Sequence, residues 1–112
     1  MSNDISNENL LIPLTTIEWI EQVRIKINAK SDIDIARALK IKKQTISQQL
    51  LKQHTQMPLQ ALRIARILEI SPILVIACAC WELARNEEDK FEWQVVFSRN
   101  SGGTFIRISQ PE

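Results

Sequence analysis

Five polar residues between positions 43 and 48 are the part of this sequence best suited to recognising another molecule. They lie in the run KQTISQ and comprise Lys43, Gln44, Thr45, Ser47 and Gln48. A glutamine amide pairs bidentately with adenine, a lysine suits guanine acceptors or phosphate, and serine or threonine hydroxyls bond to either kind of base. On one side of a helix, this set predicts contacts with base edges in the major groove of DNA.

A helix over these residues places most of the set away from the core. At 100° per residue, Ile46 and Leu50 point inward. The opposite side carries Gln44, Thr45, Gln48 and Lys52, with Lys43 and Ser47 beside them. Gln44 and Gln48 are one turn apart, so both amides can reach neighbouring base edges.

The preceding segment, SDIDIARAL, predicts a second short helix that packs against this one. Its start has the form S-x-x-D from Ser31 to Asp34, and carboxylates in a first turn suit the helix dipole. Ile35, Ala36 and Leu39 supply its apolar side. Two short helices joined by a tight turn, the second polar on its outer side, form the arrangement that places a helix in the major groove.

Positive charge is concentrated in the segment that contains these two helices. Residues 24–66 carry a formal charge of +8, whereas residues 1–23 and 67–112 carry −4 and −3. This segregation is typical of a surface that faces a polyanion, and equally of a solvated basic surface without a partner. Four of the bases are expected to contact the DNA backbone, which fixes register but carries no sequence information: Lys30, Arg37, Lys42 and Lys52.

The elements around the pair predict an all-α fold of five helices over residues 15–87. A capping box of Thr15 and Glu18 starts the first helix, and Pro58 and Pro72 suit the first turns of the fourth and fifth. The fifth helix is apolar nearly all round and must be buried on every side. The fourth carries an apolar stripe of Leu59, Leu62, Ala65 and Leu68.

Both ends of the chain are expected to lie outside this domain. Residues 1–14 predict a flexible arm, and residues 88–112 a C-terminal extension. Within the extension, Phe91, Trp93, Val95 and Phe97 alternate as in a strand, and NSGG can turn a hairpin. The same residues can instead form a sixth helix from Glu88 to Ser98, which is the interpretation we favour.

The two-helix segment resembles the Xre-like family of helix-turn-helix proteins, the Cro and phage-repressor type, and is most similar to short regulators encoded by phages and prophages. The resemblance covers about Thr15 to Glu87 and includes MPLQALRIARILEIS as the fourth helix. It implies a five-helix, Cro/repressor-like DNA-binding domain, commonly a homodimer on a palindromic operator. The matching residues are Ser31, Asp32, Ile35, Ala36, Leu39, Ile41, Gln44, Thr45, Ile46 and Ser47.

Three residues depart from the family pattern. Lys40 stands where the family usually has a turn glycine, and a non-glycine residue at positive φ costs about 1 kcal/mol. Lys42 stands where serine or threonine often caps the recognition helix. Asp32 replaces a frequent glutamine at a phosphate-facing position, and its charge would repel a phosphate.

A two-fold homodimer is expected to form through residues beyond Ser71, leaving the helix around Gln44 free. One domain of this size can hardly cover all the apolar side chains of the fifth helix and the extension, and exposed apolar patches usually mark an interface. The expected interface consists of Ile73, Val75, Ile76, Trp81, Phe91, Trp93 and Phe97.

Catalytic and metal-binding functions have little support. Both glycines lie in the last eleven residues, so no Gly-rich phosphate-binding loop precedes them. One histidine, His54, and two cysteines are too few for a structural zinc site, and no cofactor is expected. Cys78 and Cys80 would point to nearly opposite sides of a helix and are interpreted as small buried hydrophobes. Without a carboxylate–histidine cluster, no enzymatic activity is expected.

The cellular location and the binding partners of the protein are also predicted from the sequence. The polar, acidic start MSNDISNEN is unlike a signal peptide, and the apolar stretch ISPILVIACACW has twelve residues, too few to span a bilayer. We therefore expect a cytoplasmic protein that binds double-stranded DNA. The alternative is an antitoxin-type or adaptor-type interaction module on the same fold, with the apolar C-terminal half binding a protein partner.

Overall fold

Helices make up most of the chain that the structure, a computed structural model, describes, namely residues 10–52 and 54–101. No strand occurs among these residues, which confirms the all-α prediction. In chain order the helices are α1 (Thr16–Ile27), α2 (Asp32–Leu39), α3 (Lys43–Leu50), α4 (Pro58–Leu68), α5 (Pro72–Leu83) and α6 (Glu87–Ser101).

The start of α1 is set by its capping residues. The Thr15 hydroxyl accepts a hydrogen bond from the Glu18 N–H at 3.2 Å, and the Glu18 carboxylate accepts one from the Thr15 N–H at 2.9 Å. Leu14 and Trp19, one on each side of this box, are both buried in the core, as a hydrophobic staple requires. The predicted capping box is confirmed.

A single core draws side chains from every helix. Its fully buried members include Ile20, Val23, Ile35, Leu39, Ile46, Ile64, Val75 and Phe97. The middle helix of the C-terminal half, α5, packs against both α4 and α6. Its buried residues point in several directions, as expected for a helix that is apolar nearly all round.

The predicted separation of a C-terminal extension from the domain is wrong. Residues 87–101 form α6, so the helical interpretation is confirmed over this range and the hairpin does not form within it. Val95 and Phe97 of α6 are buried against the rest of the chain. Residues 102–112 lie outside the described part of the structure. Helix α6 therefore completes the core instead of extending beyond it.

The predicted flexible arm is also wrong for residues 10–14. Leu11, Pro13 and Leu14 are buried. The Leu11 N–H donates to the Ser98 hydroxyl at 2.9 Å, and the Gln94 amide donates to the Leu11 carbonyl at 3.0 Å. This segment is held by α6, which the sequence pattern placed outside the domain. Residues 1–9 are not among the described residues.

The apolar stripe of α4 differs from the predicted one. Pro58 occupies the first turn as expected, but Leu59 is 54% exposed, whereas Ala61, Ile64 and Ala65 are fully buried. Leu62 and Leu68 are half-buried. The buried face of α4 is rotated relative to the predicted stripe. Gln60, beside Leu59, turns inward and hydrogen-bonds to Gln49 of α3.

Candidate nucleic-acid interface

The turn between α2 and α3 has a left-handed residue at its start, although no glycine is present. Lys40 adopts φ 58° and ψ 43°, and it ends α2. The Lys40 N–H donates to the Arg37 carbonyl at 3.2 Å, and the Ile41 N–H donates to the Ala36 carbonyl at 3.0 Å. Lysine thus takes the conformation that glycine would take without strain, at a cost of about 1 kcal/mol.

A side chain from α4 completes this turn. The Arg63 guanidinium donates to the Leu39 carbonyl at 3.0 Å and to the Lys40 carbonyl at 3.3 Å. The last carbonyls of a helix have no partner within the helix, so these bonds satisfy groups that otherwise depend on water. Sequence reasoning counted Arg63 only as one of the bases in the positive segment. The two bonds join α4 to the end of α2 and to the first residue of the turn that precedes α3.

The inward sides of α2 and α3 fix how α3 is rotated about its axis. Ile35 and Leu39 of α2 and Ile46 of α3 are fully buried. Ala36, which is small enough for a close helix crossing, is also buried. Because Ile46 points into the core, residues half a helical turn away on α3 must face outward.

The outward side of α3 carries the residues predicted to read bases. Lys43, Gln44 and Gln48 are exposed, whereas Thr45 and Ser47 are half-buried at its edges. No side chain of these five hydrogen-bonds to another residue in the described part of the chain. Their donors and acceptors are therefore available to an incoming ligand.

The four predicted backbone-contacting bases are exposed and border the two helices. Lys30 precedes α2, and Arg37 lies in its last turn. Lys42 is the residue before α3, where its side chain makes no capping bond, and Lys52 follows α3 with φ 64°. The basic residues are thus placed before and after α3.

The acidic residue expected to repel a phosphate is paired. The Asp32 carboxylate accepts a hydrogen bond from Arg24 at 3.0 Å, and Arg24 also contacts Glu21 at 3.1 Å. The hydrogen bond with Asp32 is the main reason why the pKa of Arg24 is raised. Asp32 and Glu21 share the single positive charge of Arg24, which therefore offsets only part of the negative charge at this position.

The capping box predicted at the start of α2 does not form. Ser31 is the residue before the helix, but its side chain makes no capping hydrogen bond. The Asp34 carboxylate instead accepts a hydrogen bond from the Lys30 N–H at 2.8 Å. The carboxylate reaches one residue further back than the box requires, which satisfies a different backbone donor.

Sequence reasoning missed a buried pair of amides that joins α3 to α4. Gln49 and Gln60 exchange two side-chain hydrogen bonds, of 2.8 and 2.9 Å, and both residues are buried. A signal was present, because Gln49 lies three residues after Ile46 and Gln60 four residues before Ile64. At those spacings a side chain shares the face of a buried isoleucine.

The predicted dimer interface is largely used within the chain. Val75 and Phe97 are fully buried, so neither can belong to a surface, and that part of the prediction is wrong. Ile73, Ile76, Trp81 and Trp93 are half-buried, and only Phe91 counts as exposed. The Lys90 ammonium lies 4.4 Å from the centre of the Trp81 ring and donates to the Trp81 carbonyl. These side chains are covered because α6 packs against the apolar side of α5.

The interpretation of the two cysteines as small buried hydrophobes is confirmed for one of them. Cys78 is buried, and burial raises the pKa of its thiol to about 12, while hydrogen bonds with the Trp19 side chain and the Leu14 backbone act in the opposite direction. Cys80 is half-buried, and burial raises its pKa as well. Within the described residues no group of histidine, cysteine and carboxylate side chains is arranged to hold a metal ion.

A small cleft adjoins the end of α3. It has a volume of about 190 Å³ and is lined by Thr15, Thr16, Ile17, Gln49, Lys52, His54, Thr55 and Glu82. His54 and Glu82 both line the cleft, and the Glu82 carboxylate accepts a hydrogen bond from the Thr16 hydroxyl. The His54 side chain is exposed at the rim of the cleft.

None of the helices in the described part of the chain is long and apolar enough to cross a membrane.

Comparisons with family models, with curated proteins and with solved structures find no match for this chain.

Proposed function

We propose that this protein is a sequence-specific regulator of transcription that binds double-stranded DNA. In this proposal α2 and α3 act as a helix-turn-helix unit of the Cro/repressor type, and α3 enters the major groove. The residues that read bases are Lys43, Gln44, Thr45, Ser47 and Gln48. The residues that hold the DNA backbone are Lys30, Arg37, Lys42 and Lys52.

The observation that carries the proposal is the arrangement of Gln44 and Gln48. Both are exposed, both lie opposite the fully buried Ile46, and neither amide is used by the described residues. They are four residues apart along α3, a rise of about 6 Å, so that both amides can reach base pairs close to each other. An amide offers a donor and an acceptor together, which is what the major-groove edge of adenine requires.

The distribution of charged residues also supports DNA binding by the surface around α3. In the basic segment 24–66, the two acidic residues are both engaged: Asp32 with Arg24, and Asp34 with the Lys30 N–H. The lysines that border α3 have no carboxylate partner among the described residues. A surface of this kind displaces counterions from DNA, which supplies affinity without regard to sequence.

Repression follows most simply from this arrangement. A DNA-binding domain that occupies its operator excludes other proteins from the same base pairs, and it needs no catalytic group to do so. The regulator is therefore proposed to act by occupancy.

The test is selection of bound sequences from a pool of random duplex DNA. The wild-type protein is expected to enrich a consensus, and the Gln44→Ala/Gln48→Ala double variant is expected to bind the pool with a weakened or lost consensus. A variant of a comparable amide on another helix, Gln22→Ala, should enrich the wild-type consensus. Failure to bind any duplex at low salt would contradict the proposal.

A further inference from the structure

The small cleft at the end of α3, which we call the α3 cleft, is built from four parts of the fold. Its walls come from the start of α1, the end of α3, the loop before α4 and the end of α5. A concave site with a few well-placed polar groups is the usual binding site of a small molecule. The α3 cleft is therefore a candidate ligand site beside the surface proposed to bind DNA.

Two polar side chains in the walls of the α3 cleft are buried and held in place by hydrogen bonds. Thr16, which is 2% exposed, accepts a hydrogen bond from the Gln56 N–H at 3.1 Å and donates one to the Glu82 carboxylate. Gln49, which is 1% exposed, is fixed by its two bonds with Gln60. The walls are thus formed before a ligand arrives, which lowers the entropy cost of binding.

The α3 cleft carries two opposite charges that do not neutralise each other. Lys52 and Glu82 both line it, yet they form no ion pair with each other or with any other residue in the described part of the chain. The bond from Thr16 uses only part of the Glu82 carboxylate, which can accept about four hydrogen bonds. The Lys52 ammonium has three donors at the end of a flexible stem. A ligand that satisfies both side chains must carry an anionic group and a cationic group.

The volume of the α3 cleft limits the ligand to a small molecule. At about 30 Å³ of liquid volume for each water molecule, its 190 Å³ corresponds to about six waters. Pockets for drug-sized ligands have volumes of about 300 Å³ or more, so a nucleotide is too large. An α-amino acid with a small side chain, such as alanine, has about as many non-hydrogen atoms as the cleft holds waters. It also carries both of the required charges.

We propose that the α3 cleft binds a small α-amino acid, whose carboxylate bonds to Lys52 and whose ammonium group bonds to Glu82. The His54 ring N–H at the rim and the Thr55 hydroxyl in the wall are further donors to the carboxylate. The ligand regulates DNA binding, because its carboxylate and a DNA phosphate compete for the Lys52 ammonium. This regulatory step rests on the proposed function, whereas binding of the amino acid does not.

Competition for the Lys52 ammonium makes the amino acid and DNA antagonists. Each should weaken the binding of the other by the same factor, since coupling between two sites is reciprocal. The amino acid should also reduce the dependence of DNA affinity on salt, because one phosphate contact is lost. The protein then releases its DNA when the amino acid is abundant.

The first test uses the full chain without DNA. L-alanine is titrated into isotope-labelled protein at millimolar concentrations, and it is expected to shift the NMR amide signals of the residues that line the α3 cleft until they saturate. Propionate is L-alanine without its ammonium group, and ethylamine is L-alanine without its carboxylate. Both should bind at least about tenfold more weakly, because each loses one charge-assisted contact.

The second test compares two variants that each lose one carboxylate. Glu82→Gln keeps an oxygen for the Thr16 hydroxyl but removes the charge, so it should bind L-alanine at least about tenfold more weakly. It should bind duplex DNA as the wild type does, which also shows that it is folded. Glu88→Gln, which removes an exposed carboxylate on α6, should bind L-alanine normally. Saturating L-alanine should weaken DNA binding by the wild type about fivefold or more, and the same concentration should leave Glu82→Gln unaffected.

Each failure has a separate meaning. If L-alanine shifts no signal of the α3 cleft, or if propionate or ethylamine binds as tightly, the cleft is not an amino acid site. Equal L-alanine binding by Glu82→Gln and the wild type would also overturn the proposal. If L-alanine binds as expected but leaves DNA affinity unchanged, the regulatory step is wrong. If the wild-type protein binds no duplex, the proposed function fails, and the NMR titration still decides whether the cleft binds the amino acid.

Discussion

The side-chain amides of Gln49 and Gln60 face each other across the junction of α3 and α4 and exchange two hydrogen bonds, of 2.8 and 2.9 Å. Each amide uses one donor and one acceptor in this pair, in a region from which water is nearly excluded. Apolar contacts tolerate rotation, whereas two directional hydrogen bonds do not. The pair therefore fixes the rotation of α4 and, with the buried Ile46, the direction in which α3 presents its outer residues.

Removing one amide of this pair is expected to lower the free energy of unfolding more than removing both amides. In Gln49→Ala the Gln60 amide loses its partner inside the protein, so the free energy of unfolding should fall by about 1–3 kcal/mol. Gln49→Met/Gln60→Met, which removes both amides at similar volume, should recover most of the loss. Urea unfolding measures both values. Gln48→Ala, one position away and exposed, is the control, and equal costs for Gln48→Ala and Gln49→Ala would contradict the role of the pair.

Replacing Lys40 by glycine is expected to stabilise the protein. Lys40 has φ 58°, where the Cβ atom crowds the backbone, and removing that atom should raise the free energy of unfolding by up to about 1 kcal/mol. Lys40→Ala, which also removes the charge but keeps Cβ, should give no such gain. Thermal unfolding of the two variants decides the point, and equal melting temperatures would show that the turn is not strained.

Loss of a base-reading amide and loss of a backbone lysine are expected to differ in kind. Gln44→Ala should cost about 1–3 kcal/mol on the preferred sequence and relax the preference at one position. Lys52→Ala should weaken binding to all sequences alike and reduce the dependence of log K on log salt by about one. Arg85→Ala, an exposed base between α5 and α6, is the charge-matched control and should change neither. Fluorescence anisotropy titrations at several salt concentrations measure these effects, and a uniform loss in Gln44→Ala would remove Gln44 from the groove.

The buried thiol of Cys78 is expected to make the protein less stable in alkali. Its pKa is about 12 in the folded chain against an ordinary value of 9.0, so the unfolded chain releases this proton first as the pH rises. Stability from this group is complete below about pH 9 and declines as the pH rises from there towards 12. Cys78→Ala should show a smaller decline in the free energy of unfolding between pH 8 and about pH 10.5. Identical profiles for Cys78→Ala and the wild type would contradict the prediction.

Local pattern determined much of the helical framework. The start of α1 follows from Thr15 and Glu18, and those of α4 and α5 follow from Pro58 and Pro72, because capping and first-turn chemistry involve residues only a few positions apart. The inward direction of Ile46, and so the outward direction of Gln44 and Gln48, follows from the periodicity of α3 alone. The candidate reading surface could therefore be predicted before any tertiary contact was known.

Tertiary structure decided which surfaces are covered and by what. Periodicity marks Val75 and Phe97 as apolar without saying whether the same chain or a second copy buries them. Both proved to be buried within the chain, where α5 packs against α4 and α6. Leu11 is buried in the core, and its backbone hydrogen-bonds to Ser98 and Gln94, more than eighty positions away in the chain. Gln60 and Arg63 act through partners on α3 and at the end of α2, so their roles depend on how the helices meet. Contacts between distant segments depend on packing the whole chain at once, and no local spacing rule contains that information.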